Sequence, residues 1–368
     1  MKKIILAILV FSFLGGFAFV SVKSPSRNFD MIFYSSIILN LSGSNEKEAH
    51  ENVFKKIQND IPDKFKDWSK EYNFLKVKND FDHYKSRLPF YNIRPLYNWS
   101  SLMLYQSGVD LFLSTSLVST ISILTGLVLL IVLLYNNLQN SFLLLLILLY
   151  DFPSLLSLSG LSTPDGMVFL LLCIYFIVFF NSKESYLHYF ILPFFILIRT
   201  DLIVFNFIVF GLNFYRKKKI SFEVIPLLIS GALYLFINSY FDNYGWKTII
   251  RFSFLDRYII MPETQITITE YCSILISGVK ALIQNISFFQ FLIICGLNFF
   301  LSIKFKLLSI KFQDFILVCV LYVCIHFLLF PSIKERFFVG LYILNFAIFL
   351  LQFDKLLSKI PFKVNSIK

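Results

Sequence analysis

The sequence predicts an all-α, polytopic transmembrane helix bundle, and three observations predict it. Of 368 residues, 57% are hydrophobic and only 15% charged, against about 45–50% and about 25% in soluble domains. Mean hydropathy is +0.70. Apolar runs near the length of a bilayer core, about 20 residues as helix, recur along the chain. These values exclude a disordered chain and an ordinary soluble enzyme. The 34 Lys and Arg against 23 Asp and Glu would suggest nucleic acid in a soluble protein. Here the positives flank apolar runs, so they are read as orientation and no nucleic-acid partner is expected.

The first run, residues 4–22, follows Lys2 and Lys3. No A-x-A-like cleavage site follows it, so it reads as a retained span rather than a signal peptide. Further runs cover 113–135, 141–158, 167–181, 187–215, 222–240, 286–303, 315–330 and 337–353. The run 187–215 is too long for one span and is interrupted by Arg199-Thr200-Asp201, which splits it into a hairpin of two short helices. The total is about ten spans, with both termini on one side. Lys2, Lys3, Lys183, Arg216 to Lys219, Lys304, Lys306, Lys311 and the tail lysines Lys355, Lys359, Lys363 and Lys368 make that side cytoplasmic. A bacterial cytoplasmic membrane is the expected location, and the chain reads as a single membrane domain over 1–368.

Two long segments then face outward. Segment 23–108 carries Asn45 with Glu48 three residues on, a capping-box spacing, followed by Ala49, Val53, Ile57 and Ile61 at helical intervals. This is an amphipathic helix lying on the membrane or on the bundle. Segment 241–285 carries Asp242, Trp246, Lys247, Arg251, Asp256 and Arg257, with a second interfacial helix expected over 273–283. Five cysteines form no paired framework and no C-x-x-C, so free, mostly lipid-buried thiols are expected.

Several polar residues could carry chemistry. Asp30 lies just past the first span among apolar neighbours; burial there would raise its pKa and make it a better base. On a helix, Tyr34 shares its face. A helix cap or a solvated acid is the bland alternative. Asp80-Phe81-Asp82 could hold a divalent cation bridging phosphates, although the spacing is common in polar loops. Arg94-Pro95-Leu96-Tyr97 would present a guanidinium at the membrane face, suited to phosphate, or simply begin a helix. Asp165, in Ser162-Thr163-Pro164-Asp165-Gly166, occupies a tight turn. Arg199 and Asp201 sit between apolar runs, where charge faces a cavity or a partner; they could pair with each other. Asp151, near Pro153 in the third run, raises the same question. Lys334, Glu335 and Arg336 form a short outer loop that could meet an anionic head group or form a surface ion pair. His50, His83, His188 and His326 show no ligand spacing, and the P-loop, dinucleotide and nucleophile-elbow motifs are missing.

Together these positions resemble a polytopic glycosyltransferase of the GT-C type. The resemblance rests on layout over nearly the whole chain. One span is followed by a long outer loop with an early acid, in Phe29-Asp30-Met31-Ile32-Phe33-Tyr34. Arg94-Pro95-Leu96-Tyr97 precedes the second span, Ser162-Thr163-Pro164-Asp165 forms an outer turn, Arg199-Thr200-Asp201 lies between short spans and Glu335-Arg336 precedes the last. The resemblance implies Asp30 as the catalytic carboxylate, with Asp80 and Asp82 as competitors and weak metal candidates. It implies a substrate site from Tyr34, Arg94, Tyr97, Asp165, Arg199, Asp201 and Arg336. It further implies a polyprenyl-phosphate-linked sugar donor, a glycan, lipid or protein acceptor, and inversion. No large soluble C-terminal domain is seen, which favours transfer of a single sugar. No cofactor is implied beyond a possible divalent cation. A polysaccharide polymerase is one rival. A lipid-linked sugar flippase or solute transporter is the other, and it would need a polar path through the middle of the bundle.

Overall fold

A computed structural model describes residues 2–181, 186–218, 222–255, 266–307, 310–332 and 334–359. Among them every regular element is helical. Five helices are long and apolar enough to cross a bilayer, which fits a membrane protein: α1 (Lys2–Lys23), α9 (Leu111–Asn137), α18 (Ile286–Phe305), α19 (Ile310–Leu329) and α20 (Val339–Lys359).

The expected third span is not straight. It divides into α10 (Leu144–Leu149) and α11 (Phe152–Ser159), bent by 62°. Pro153 stands in the first turn of α11, where its missing N–H costs nothing but its ring prevents α10 from continuing. Asp151 takes up the left-handed turn between them, with φ 51°, a conformation that a short polar side chain tolerates. The run 187–215 breaks where expected, into α13 (Leu192–Ile198) and α14 (Ile203–Lys217). Asn206 Nδ2 donates to Leu192 O at 2.9 Å and ties this hairpin together. The apolar helices α12 (Asp165–Asn181) and α15 (Val224–Tyr240) have 17 residues each. By length and composition the expected ten spans therefore become five, or six with the bent pair counted as one.

Two groups of contacts define the ends of the bundle. At one end Ser26 N donates to Gly160 O, Thr115 Oγ1 meets Ser162 Oγ, Arg199 pairs with Asp165 and Asn285 Nδ2 donates to Glu335. At the other, Gln139 N and Asn140 N donate to the Asp354 carboxylate, Arg216 pairs with Asp314 and Gln313 donates to Ser302. Of the long helices, α9, α18 and α20 run from the first end to the second. Arg216, Lys217, Lys304, Lys306, Lys355 and Lys359 lie towards the second end. Lys183, Lys219, Lys363 and Lys368, also expected on that side, lie outside the described residues, as do Asp256 and Arg257.

Segment 23–108 packs around its own core. It comprises α2 (Asp30–Leu41), α3 (Glu46–Asp60), the short α4 (Pro62–Trp68), α5 (Tyr72–Asn79), α6 (Phe81–Lys85) and α7 (Pro89–Asn92), then α8 (Pro95–Gln106). Asn45 caps α3 by accepting from Glu48 N at 2.9 Å. The apolar stripe of α3, Ala49, Val53 and Ile57, is buried. It faces Met31, Ile37, Phe74 and Tyr84 in the segment's own cluster, so α3 sits on neighbouring helices of the segment. In the second segment, α16 (Trp246–Phe254) is followed by α17 (Ile268–Ile283), which starts ahead of the expected 273 at a Thr267–Glu270 capping box. Trp246 Nε1 donates to Leu329 O at 2.5 Å and Tyr271 to Leu328 O, which fastens α16 and α17 to the end of α19. No cysteine is paired, and Cys173, Cys295 and Cys319 are buried within the protein rather than facing lipid.

Helices α9 and α12 form the closest pair. A Cβ on Gly166 would stand 2.8 Å from Ser119 Cα and 2.9 Å from Ser119 O. Ser119 Oγ donates to Thr163 O at 2.6 Å. Small residues permit this approach where lipid supplies no hydrophobic drive. Gly166→Ala should lower stability by about 1–3 kcal/mol through overpacking against backbone. Gly296→Ala, in open space on α18, should leave it nearly unchanged. Thermal unfolding of the detergent-solubilised variants checks both.

Candidate active site

The first end of the bundle gathers charges that are far apart in the chain. Asp30 opens α2, Asp165 opens α12 and Asp201 lies in the short turn that opens α14. Arg199 caps the C-terminus of α13. Each charge thus sits at the helix end whose dipole favours it.

Asp30 Oδ1 accepts from the Tyr91 hydroxyl at 3.0 Å and Oδ2 from Arg336 Nη1 at 3.1 Å. Arg94 donates to the Tyr34 hydroxyl, and its guanidinium lies 5.6 Å from the ring centres of both Tyr34 and Tyr91. Tyr91 in turn stacks on Phe33 at 4.5 Å. Tyr97 sends its hydroxyl to Thr115 O at 2.8 Å and so joins α8 to α9.

A second set continues from Arg336. Its Nε lies 3.5 Å from Asp165 Oδ2, close enough for ion pairing but without a formed hydrogen bond. Asp165 Oδ1 accepts from Arg199 Nη1 at 2.5 Å. Arg199 also grips Asp201 through two parallel bonds, Nε to Oδ1 at 3.0 Å and Nη2 to Oδ2 at 2.7 Å, the fork geometry that suits a guanidinium. His326 Nε2 stands 3.2 Å from Asp201 Oδ2. A carboxylate only accepts, so Nε2 is the donor in this contact. The Phe337 ring lies against Arg199 at 4.4 Å and Arg336 at 5.3 Å.

Burial alone would raise the Asp30 carboxyl, but the nearby Arg336 and Arg94 charges outweigh it, aided by the bonds from Tyr91 and Arg336, and hold it below the usual carboxylate value. This corrects the expectation from sequence that burial makes Asp30 a stronger base. The arginines could not be assigned to Asp30 from the sequence, because Arg336 lies at the other end of the chain. In the resting site Asp30 is an ionised, paired carboxylate.

A cavity of about 420 Å³ opens beside Arg336. Ser154, Ser157, Leu158, Leu161, Lys334 and Arg336 line it. Glu335 also borders it: Oε1 accepts from Asn285 at 3.1 Å, and Oε2 lies 2.9 Å from Ser154 Oγ, whose one proton it shares with Asp151. Ser154 Oγ also lies 2.6 Å from Asp151 Oδ1, which links the bent pair to the α19–α20 loop.

The structure therefore joins Asp30, Tyr34, Arg94, Asp165, Arg199, Asp201 and Arg336, and places Tyr97 behind them. Asp80 and Asp82 stand apart. Asp80 caps α6 by accepting from His83 N at 3.0 Å and pairs with Lys76 at 2.6 Å. Among the described residues, neither Asp80 nor Asp82 bonds to the Asp30 set, and no group of three or more His, Cys, Asp or Glu is arranged to hold a metal ion. Sequence reasoning missed Tyr91 and His326. Tyr91 was legible in hindsight, three residues before Arg94 on one short turn; a lone histidine in an apolar run gave no signal. No family model, curated protein or solved structure matches the chain.

Arg199 is 8% exposed and Asp165 3%. Arg199→Leu should therefore cost about 3–5 kcal/mol, since it strands two carboxylates; Arg199→Lys, with no fork, should fall between. Thermal unfolding in detergent checks both. The sign for Asp30 follows from its lowered pKa. Its stabilisation is present above the ordinary carboxylate value and is lost as pH falls through the lowered one. The difference in melting temperature between the native protein and Asp30→Asn should thus be full at neutral pH and narrow only in strong acid.

Proposed function

We propose that the chain is a multi-pass membrane glycosyltransferase that moves a sugar from a polyprenyl-phosphate-linked donor to an acceptor hydroxyl at the extracytoplasmic face. The observation that carries this reading is the pairing of Asp30 with Arg336 beside Arg94, next to a cavity lined by Arg336, Lys334 and two leucines. One base and phosphate-binding cations at the end of an apolar bundle are what such a transfer needs. The apolar helices are read as ten crossings, five of them short or bent. Both termini are then cytoplasmic, in a bacterial plasma membrane, with segments 23–108 and 241–285 outside.

In the proposed reaction Asp30 takes the proton of the acceptor hydroxyl, whose oxygen bonds to the anomeric carbon. The bond from that carbon to the phosphate oxygen breaks, and the electron pair leaves with the lipid phosphate. A single displacement inverts the anomeric centre. Arg336 and Arg94 neutralise charge as it grows on the phosphate; a phosphate leaving group needs no strong acid. The acceptor is a glycan, a lipid or a protein.

The transporter reading would use a charged or polar path through the middle of the bundle. Between α18 and α20, Gln352 Nε2 donates to Asn298 Oδ1 at 2.7 Å and Asn298 Nδ2 to Asn345 O at 2.9 Å. These bonds tie the two helices together, which weighs against a solute path between them.

Purified protein in nanodiscs, assayed against polyprenyl-phosphate sugars, tests the proposal. Asp30→Asn should stay folded and lose transfer by about 10²–10⁴-fold, the usual worth of a general base. An Asp30→Asn protein with native turnover would sink the assignment.

A further inference from the structure

Arg336 belongs to two places at once. Its Nη1 holds Asp30 at 3.1 Å, and its side chain lines the 420 Å³ cavity on the other side. That single bond is its one formed hydrogen bond to a carboxylate; Nε is buried with no hydrogen-bond partner, although Asp165 lies 3.5 Å away. A guanidinium has five N–H donors, so most of its capacity is unspent. The side chain is 22% exposed and rises from the short turn Glu335–Phe337 between two long helices, where a long side chain can swing. Arg199 offers a contrast: two carboxylates hold it by three bonds.

The cavity next to Arg336 is built for an anion with an apolar tail. Lys334 lines it and has no carboxylate within ion-pair distance among the described residues. Glu335, the carboxylate between the two cations, accepts from Asn285 and lies 2.9 Å from Ser154 Oγ. Leu158 and Leu161 supply apolar wall. The cavity thus offers two cations against one carboxylate, a lining of net positive charge.

We propose that a phosphate diester head entering this cavity competes with Asp30 for Arg336, so that binding the head releases the Asp30 carboxylate. The competition stands on the geometry of Arg336; only the naming of the diester as the head of a sugar donor rests on the transferase reading. Coupling between two sites is reciprocal. Whatever Asp30 costs the head in affinity, the head costs Asp30 in pairing. Once Arg336 turns to the phosphate, Asp30 keeps its burial, its Tyr91 bond and the more distant charges of Arg94 and Lys334, but loses its strongest cation. Its proton affinity then rises, because Arg336 gives the largest charge effect opposing burial. The base is quiet in the empty site and becomes stronger when the donor phosphate arrives.

Binding without turnover tests this. The probe is dihexadecyl phosphate, a diester that does not titrate near neutral pH, in nanodiscs of zwitterionic lipid. Dimethyl phosphate, added in solution, is the tail-less arm. Native protein, Asp30→Asn, Arg336→Gln and the double variant are compared, each first shown to unfold cooperatively above the assay temperature. Asp30→Asn should bind the probe more tightly, on the order of 10-fold. The gain should vanish when Arg336 is already Gln, since the competition passes through that guanidinium. A gain with dihexadecyl phosphate alone assigns the site to a lipid head; a gain with both assigns it to the phosphate group whatever its source. Unchanged or weaker binding in Asp30→Asn overturns the proposal, as does a gain that persists without Arg336. The two readings fail separately. Active transfer with binding indifferent to Asp30 removes the coupling and keeps the enzyme. The coupling without transfer from any donor removes the enzyme and keeps the coupling.

Discussion

Charge in an apolar bundle must be paired, and the architecture of one end follows from that requirement. Arg199 and Asp201 lie inside what would otherwise be a continuous apolar stretch. A continuous helix would direct their side chains to different sides. Breaking it puts Arg199 at the C-terminus of α13 and Asp201 before α14, where each charge meets a favourable dipole and the two side chains meet each other. Asp165 then reaches Arg199 from the start of α12, and His326 reaches Asp201 from near the end of α19. One ion cluster thereby sets the positions of several helix ends.

Close packing fixes the rest. Because Gly166 lets α12 lie against Ser119 of α9, Asp165 is carried to a depth at which only a paired carboxylate is tolerated. The bend at Asp151 and Pro153 does similar work on the other side. It turns α11 so that Ser154 meets Glu335, and α11 forms one wall of the cavity beside Arg336. A straight helix through Tyr150 would not present Ser154 and Ser157 there.

Much of this was legible in the sequence because the governing forces are local. Run length and hydropathy gave α1, α9, α18, α19 and α20, and a cap followed by a 3.6-residue stripe gave α3. The break at Arg199-Thr200-Asp201 was visible as charge within an apolar run. The bend in the third run was less visible: Pro153 marked it, but a proline can also kink a helix that still spans. The apolar stripe of α3 could not reveal its partner, since lipid and a protein core ask for the same residues. The site residues stood out singly as costly charges. Their pairing did not, because Asp30 and Arg336 are 306 positions apart and only the fold brings them together.

The arginines at this end do different work, and geometry separates them. Asp30, Asp165 and Asp201 balance Arg94, Arg199 and Arg336, so the empty cluster is close to neutral and costs the bundle little. Neutrality alone would leave nothing for an incoming anion. What matters is how firmly each guanidinium is held. Arg199, with three short bonds and 8% exposure, is spent on structure. Arg94 is half-buried against the rings of Tyr34 and Tyr91, where its charge acts through space. Arg336, at 22% exposure with one bond and a donor left over, is the guanidinium that can change partner without dismantling the helix ends. A site that keeps its own carboxylate on that guanidinium is stable while empty and responsive when an anion arrives, because only the Asp30 bond and the looser Asp165 contact have to open.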